Sequence, residues 1–118
     1  MTAPYIAQQP VTAYGFRFSD LLYSATLAAN TDTTLTVPGT APRYKALIKC
    51  KPGVDVWVAV NGTAAVPAGS TFALTTSELL ESDGELCREV KAADVLHFYT
   101  ATATTDVSVA FYALGSNN

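Results

Sequence analysis

Strict alternation of residue character in two neighbouring segments restricts the fold of this chain more than any other feature. Along residues 54–60 a valine stands at every second position: Val54, Val56, Val58 and Val60. Along residues 43–51 apolar residues alternate with basic ones. The apolar positions are Tyr44, Ala46, Ile48 and Cys50, and the basic positions are Arg43, Lys45, Lys49 and Lys51. Leu47 is the exception, because an apolar residue stands at a position of the basic set. A period of two belongs to a β-strand with one buried face, because successive side chains point to opposite sides. The sequence therefore predicts two half-buried strands separated by the turn at Pro52-Gly53.

Turn-forming residues cut most of the remaining chain into short segments rich in Val, Thr, Leu and Tyr. The segments with strand character are residues 21–27, 33–37, 85–90, 95–100 and 107–114. Asn61-Gly62 directly follows the valine segment, and this dipeptide readily supplies the two positive φ angles of a type I′ hairpin. We therefore predict that the chain returns antiparallel through residues 63–66. Residues 75–84 have the only helix-compatible composition, but their polar spacing favours a loop with one turn.

Eight short strands without a clear amphipathic helix are typical of a sandwich or a barrel of antiparallel sheets. We predict an all-β fold, specifically an antiparallel, jelly-roll-like β-sandwich with an extended N-terminal arm, because two packed sheets give the apolar faces one shared core. A length of 118 residues suits a single domain. The expected boundaries are an arm over residues 1–20, the sandwich over residues 21–114 and a flexible tail over residues 115–118.

The predicted N-terminal arm combines helix-breaking residues with apolar side chains. Pro4, Pro10 and Gly15 interrupt any helix there. The aromatic side chains that should dock onto protein are Tyr5, Tyr14, Phe16 and Phe18. Two interpretations stay open: the arm is an edge strand of its own domain, or it reaches across a neighbouring subunit.

The charge balance opposes binding to nucleic acid. The formal net charge is −3 and the sequence pI is about 4.8, whereas affinity for phosphates comes mostly from Lys and Arg. The basic side chains of residues 43–51 are expected to form a solvated strand face or to meet an acidic protein surface. No segment has the length and apolarity of a transmembrane helix, and no secretory signal is recognised. We expect no membrane partner and synthesis in the cytosol.

Motifs for catalysis are missing from the sequence. His97 is the sole histidine, and we interpret it as a structural strand residue. HExxH, GxSxG, CxxC and glycine-rich phosphate-binding motifs do not occur. The acidic residues between positions 78 and 89 lack the alternating spacing of a calcium-binding loop and are predicted to be solvated. We expect neither enzymatic activity nor a cofactor nor a bound metal.

Cys50 and Cys87 both fall in segments of strand character. We predict reduced, buried thiols. A single disulfide that joins two strands remains the alternative, provided that the two Cα atoms lie within about 7 Å of each other.

Trp57 projects away from the valine face by alternation. An outward tryptophan is either a platform on which a sugar stacks or an anchor in a subunit contact. We favour packing or a subunit contact, because the sequence shows no companion aromatic residue at a matching spacing. Tyr112 and Tyr99 are weaker candidates for the same contact.

Two stretches resemble small virion proteins of tailed bacteriophages: VWVAVNGTAAVPAGSTF at residues 56–72 and EVKAADVLHF at residues 89–98. Ala93 stands where that pattern has a glycine before Asp94. The resemblance implies a β-sandwich decoration (cement) protein on the phage head, or a small subunit associated with the tail or fibre. It further implies a homo-oligomer, dimeric or trimeric, that is made in the host cytoplasm, binds the major capsid protein and resides on the capsid surface of the virion.

Two functions from different classes therefore remain in competition. The first is a structural virion protein that reinforces capsid contacts through the arm aromatics and through Trp57 or Tyr112. The second is a carbohydrate- or receptor-binding β-sandwich of a phage tail or fibre that uses Trp57 and nearby tyrosines. A small metalloenzyme is the weakest reading, because one histidine cannot supply the usual ligand set.

Overall fold

The computed structural model describes residues 18–69, 71–102 and 104–114. These residues form eight β-strands and no helix. The strands are β1 (Leu21–Leu27), β2 (Thr33–Thr36), β3 (Arg43–Cys50), β4 (Val56–Val60), β5 (Glu78–Leu80), β6 (Glu85–Lys91), β7 (Val95–Tyr99) and β8 (Thr105–Ala113). The predicted all-β class is confirmed. Most of the predicted arm, with Tyr5, Tyr14 and Phe16, lies outside the described residues, as does the predicted tail.

The strands form two four-stranded antiparallel sheets. Sheet A has the strand order β1-β8-β3-β6, and sheet B has the order β2-β7-β4-β5. Within sheet A, Ile48 of β3 lies opposite Val109 of β8 on one side and Leu86 of β6 on the other. Within sheet B, Val58 of β4 lies opposite Phe98 of β7. Among the strands of the described residues, β4 and β5 are the only consecutive ones that pair with each other.

One hydrophobic core contains side chains from both sheets, which gives the molecule a sandwich-like architecture. Its largest fully buried members are Tyr44, Phe111, Leu27, Ile48, Leu80 and Leu96. Tyr44 and Phe111 meet edge to face with ring centroids 5.8 Å apart, a favoured aromatic geometry. The Tyr44 hydroxyl lies 2.8 Å from both Thr40 Oγ1 and the backbone nitrogen of Ala41, so this buried polar atom is satisfied.

The alternation in the sequence matches the burial of β3 and β4. Tyr44, Ala46, Ile48 and Cys50 are buried, whereas Arg43 and Lys49 are exposed. Val56 and Val58 are buried in β4, and Trp57 on the opposite face is half-buried. Val60 departs from the pattern because β4 ends there and leaves the side chain 48% exposed.

The predicted Asn61-Gly62 hairpin is wrong. Asn61 has a φ of 57°, but Gly62 does not have a positive φ, and a type I′ turn requires both. Residues 63–66 form no strand; β4 pairs instead with β5 and β7. The Asn61 side chain accepts a hydrogen bond from the Val95 amide (2.8 Å) and donates one to Asp94 Oδ1 (3.1 Å). These bonds connect the end of β4 to the start of β7. The chain therefore does not turn back in a hairpin after Asn61.

A strand missed by the sequence analysis lies inside the segment predicted to be a loop. Residues 78–80 form β5, in which Leu80 is buried opposite Val56. Only three residues pair, too few for an alternating pattern to be recognised. The turn expected in this segment follows β5, where Gly84 donates to the Glu81 carbonyl at 2.7 Å.

Both thiols are free, so the disulfide alternative is excluded. Cys50 is buried as predicted, and its Sγ lies 3.1 Å from the Glu81 carbonyl oxygen. The predicted burial of Cys87 is wrong. This residue lies on β6, an edge of sheet A, opposite the half-buried Leu47, and its side chain faces away from the core.

Candidate functional site

The connection between β4 and β5 is long and carries no charge. It comprises residues 61–77, of which all but residue 70 are described, and we call it the β4–β5 loop. Every one of its residues is apolar, Gly, Pro, Ser, Thr or Asn. Charged side chains are found mostly on protein surfaces, and this largely exposed loop has none.

Hydrogen bonds hold the base of the β4–β5 loop closed. The Ala65 amide donates to Ser77 Oγ at 3.1 Å, and the Thr76 hydroxyl donates to the Thr63 carbonyl at 3.2 Å. Ala64 and Ser77 are buried. The two legs of the loop are therefore joined, and the residues between them extend from a fixed base.

An Asp-His pair anchors the same base to the neighbouring strands. Asp32 Oδ1 accepts the Ala64 amide at 3.1 Å, and Asp32 Oδ2 lies 2.7 Å from His97 Nδ1. His97 is on β7, opposite Ala59 of β4. His97 lies in a strand as expected, and its interpretation as a structural residue stays a prediction. The contact was not predicted from the sequence, because no local signal links two residues that lie 65 positions apart.

The distal part of the β4–β5 loop presents apolar side chains to solvent. Phe72 and Leu74 have relative exposures of 109% and 103%, and Val66 is 45% exposed. Gly69 has a φ of 98°, a left-handed conformation that glycine adopts without strain. We call residues 66–69 and 71–75 the loop tip. Contiguous apolar exposure is typical of surfaces that contact other molecules, so the loop tip is a candidate interaction site.

Trp57 has the aromatic neighbour that the sequence analysis did not find. On the outer face of sheet B it lies directly opposite Tyr99 of β7 and Leu79 of β5. The Tyr99 hydroxyl donates to Asn30 Oδ1 at 3.0 Å, which fixes that ring. Trp57 and Tyr99 are neighbours because β4 and β7 lie side by side in sheet B. The two strands are far apart in the sequence, so residue spacing alone could not reveal this pair.

The remaining predicted interface residues lie apart from Trp57. Tyr112 is on β8 of sheet A, opposite Lys45, and is half-buried. Phe18 precedes β1 and is 91% exposed. The next residue, Ser19, is buried; its hydroxyl donates to the Phe111 carbonyl at 2.5 Å and accepts the Leu21 amide at 2.9 Å. Trp57 and Tyr112 therefore belong to different sheets and do not form one site.

Several basic side chains are paired within the chain. Arg43 lies 2.9 Å from Glu89, Lys51 lies 2.8 Å from Asp106, and Arg88 pairs with Glu78. The hydrogen bond to Asp106 raises the pKa of Lys51, and the same bond lowers the pKa of Asp106. Two members of the basic set on residues 43–51 are thus neutralised by carboxylates of this chain.

Among residues 18–69, 71–102 and 104–114, no group of three or more His, Cys, Asp or Glu side chains is placed to hold a metal ion. Over the same residues there is no helix of the length and apolarity needed to cross a membrane.

No family model, curated protein or solved structure matches the chain.

Proposed function

We propose that this chain is a structural subunit of a tailed-bacteriophage virion, specifically a decoration (cement) protein on the capsid surface that binds the major capsid protein and stabilises the head shell. The observation that carries the proposal is the loop tip, in which Phe72 and Leu74 are fully exposed on an uncharged loop with a hydrogen-bonded base. Such a tip is suited to insertion into a contact between other proteins.

The physical chemistry of the β4–β5 loop favours a lasting contact over a transient one. Burying a large apolar side chain contributes roughly 1.5–3 kcal/mol, and this loop has no charge whose desolvation would oppose burial. Permanent interfaces are less charged at their centres than free surfaces. A decoration protein needs this kind of contact because it must remain attached as the shell is stressed.

The strand order supports the finer fold proposal, a jelly roll. In the order β1-β8-β3-β6 and β2-β7-β4-β5, every connection except β4–β5 crosses from one sheet to the other. Two four-stranded sheets wound in this way from eight strands correspond to the double-sheet jelly roll, an architecture found in viral capsid proteins and lectins. Fold alone does not assign function, so this order supports the proposal without carrying it.

The test is binding of the Phe72→Ala/Leu74→Ala double variant to undecorated heads of the phage, measured by co-sedimentation. We expect binding at least about 100-fold weaker, because two buried apolar contacts are lost. Thr71→Ala, an exposed change in the same loop, is the matched control and should bind as the wild type does. Equal binding of wild type and double variant would show that the loop tip is not the attachment site.

The pairing of Trp57 with Tyr99 favours a second candidate function, a carbohydrate- or receptor-binding face on a tail or fibre. Adjacent aromatic rings on a sheet provide an amphipathic surface on which a sugar ring can stack. This alternative is tested on a glycan array with wild type and Trp57→Ala. Binding that depends on Trp57, together with failure of the wild type to bind heads, would replace the decoration proposal.

A further inference from the structure

The two sheets have four edge strands, and three of them are protected against pairing with another chain. The edges of sheet B are β2, with four residues, and β5, with three. The β6 edge of sheet A carries four charged residues: Glu85, Arg88, Glu89 and Lys91. Short edges and charged edges are the usual means by which proteins prevent strands from joining edge to edge.

The fourth edge, β1, has none of these protections. Its seven residues, Leu-Leu-Tyr-Ser-Ala-Thr-Leu, include no charge and no proline. Their register with β8 runs without interruption from Leu21 opposite Phe111 to Leu27 opposite Thr105, so the strand has no bulge. Within the described part of the chain, no strand pairs with its outer side. A long, regular, uncharged edge is a template for another strand.

We propose that β1 pairs antiparallel with β1 of a second copy of this chain and joins the two A sheets into one continuous eight-stranded sheet. A two-fold axis requires each surface to complement itself, and a strand antiparallel to its own copy meets this condition. With the axis at Ser24, Leu22 lies beside Thr26 of the second copy, and Tyr23 lies beside its Ala25. No charge meets a like charge in this register, because β1 carries none.

Apolar side chains on both faces of β1 are exposed and available for such a contact. Leu22 is 60% exposed on the outer face, and Tyr23 is 37% exposed on the opposite face. The Tyr23 ring packs edge to face against Phe111, with centroids 5.6 Å apart, so its conformation is already restricted before association. A contact made by a restricted side chain loses less conformational entropy on binding.

The experiment measures mass by light scattering on the full chain, and it uses a pair of charge variants. We expect wild type to have twice the 12.4 kDa mass of one chain. Ser24→Lys and Ser24→Glu should each be monomeric, because like charges then face each other at the axis. Mixing the two variants should restore the dimer. Ser108→Lys is the matched control, since Ser108 is also exposed and lies opposite Ser24, but on the inner strand β8; it should remain dimeric.

Other results would overturn the proposal. A monomeric wild type would show that β1 does not pair with a second copy, and a dimer that persists in both Ser24 variants would place the contact elsewhere. Loss of the dimer in Ser108→Lys as well would assign the contact to the face of sheet A. Failure here is distinct from failure of the decoration proposal, because the Phe72→Ala/Leu74→Ala variant tests head binding and should remain dimeric.

Discussion

Ala93 adopts a conformation that its side chain disfavours. Its φ is 71°, in the left-handed region, where Cβ approaches the following carbonyl oxygen. The turn is held on both sides: the Ala93 amide donates to the Val37 carbonyl at 3.2 Å, and Asp94 accepts the Lys91 amide at 2.9 Å. Glycine adopts this conformation without a Cβ penalty, so Ala93 stands at a backbone position that suits glycine.

Replacement of Ala93 by glycine is expected to stabilise the protein by about 0.5–1 kcal/mol, because relief of left-handed strain exceeds the added entropy of the unfolded chain. The free energy of unfolding from urea titration measures this change. Ala92→Gly in the same turn is the control and should destabilise by a similar amount, since Ala92 has no positive φ. Equal effects of the two substitutions would contradict the strain argument.

At the scale of elements, Asp32 connects the loop between β1 and β2 to the β4–β5 loop. It accepts the Ala64 amide with one carboxylate oxygen and contacts His97 with the other. The loop tip is therefore carried on a base whose position depends on a residue far away in sequence. An anchored base limits the conformational entropy that the tip loses when it binds.

Asp32→Ala is expected to speed hydrogen exchange at the Ala64 amide, because this amide loses its acceptor. The matched control is Asp55→Ala, since Asp55 likewise accepts a single described backbone amide, that of Ser82 at 2.8 Å. Site-resolved exchange by NMR should show faster exchange at Ala64 only in the first variant and at Ser82 only in the second. Unchanged exchange at Ala64 would mean that Asp32 does not hold the loop base.

Elements could be predicted from the sequence where burial is one-sided over several residues. The segments at 43–51 and 54–60 alternate because one face packs in the core, and this local pattern was sufficient to place β3 and β4. Asn61 was misinterpreted because its hydrogen bonds go to Asp94 and Val95, more than thirty residues away. The exposed Phe72 and Leu74 were missed for a related reason: hydrophobic residues are expected to be buried, and only the fold shows that these two are not.

At the scale of the whole molecule, two hydrogen-bonded aspartates lie at opposite ends of the strands. At one end Asp94 accepts hydrogen bonds from the Lys91 amide and from Asn61 Nδ2. At the other end Asp106 accepts the Thr26 hydroxyl at 2.7 Å and pairs with Lys51. The bond from the Lys91 amide lowers the pKa of Asp94, and the bond from Lys51 lowers that of Asp106.

These lowered pKa values predict a loss of stability in acid. A carboxyl group whose pKa is lower in the folded state contributes stability above its unfolded pKa of about 3.9, and this contribution is lost as the pH falls through the folded value. Denaturant unfolding at pH 7 and at pH 2–3 should show Asp94→Asn to be less stable than wild type at pH 7, with a smaller difference in acid. Asp20→Asn, an exposed change with no hydrogen bond among the described contacts, is the control. If the difference in free energy of unfolding between Asp94→Asn and wild type were the same at both pH values, the lowered pKa of Asp94 would be contradicted.

The position of β8 in the middle of sheet A determines when that sheet can be completed during synthesis. This strand lies between β1 and β3, so sheet A is in two pieces until β8 is in place, although β1 is synthesised about eighty residues earlier. Pairings between distant segments form slowly, because a long loop must close before they gain any contact energy. A nascent chain therefore cannot complete sheet A on the ribosome before β8 has emerged, and the β1 edge has no rigid sheet to present until then. Until then β1 is an unpaired, uncharged strand, and slow long-range pairing leaves such a strand exposed to aggregation.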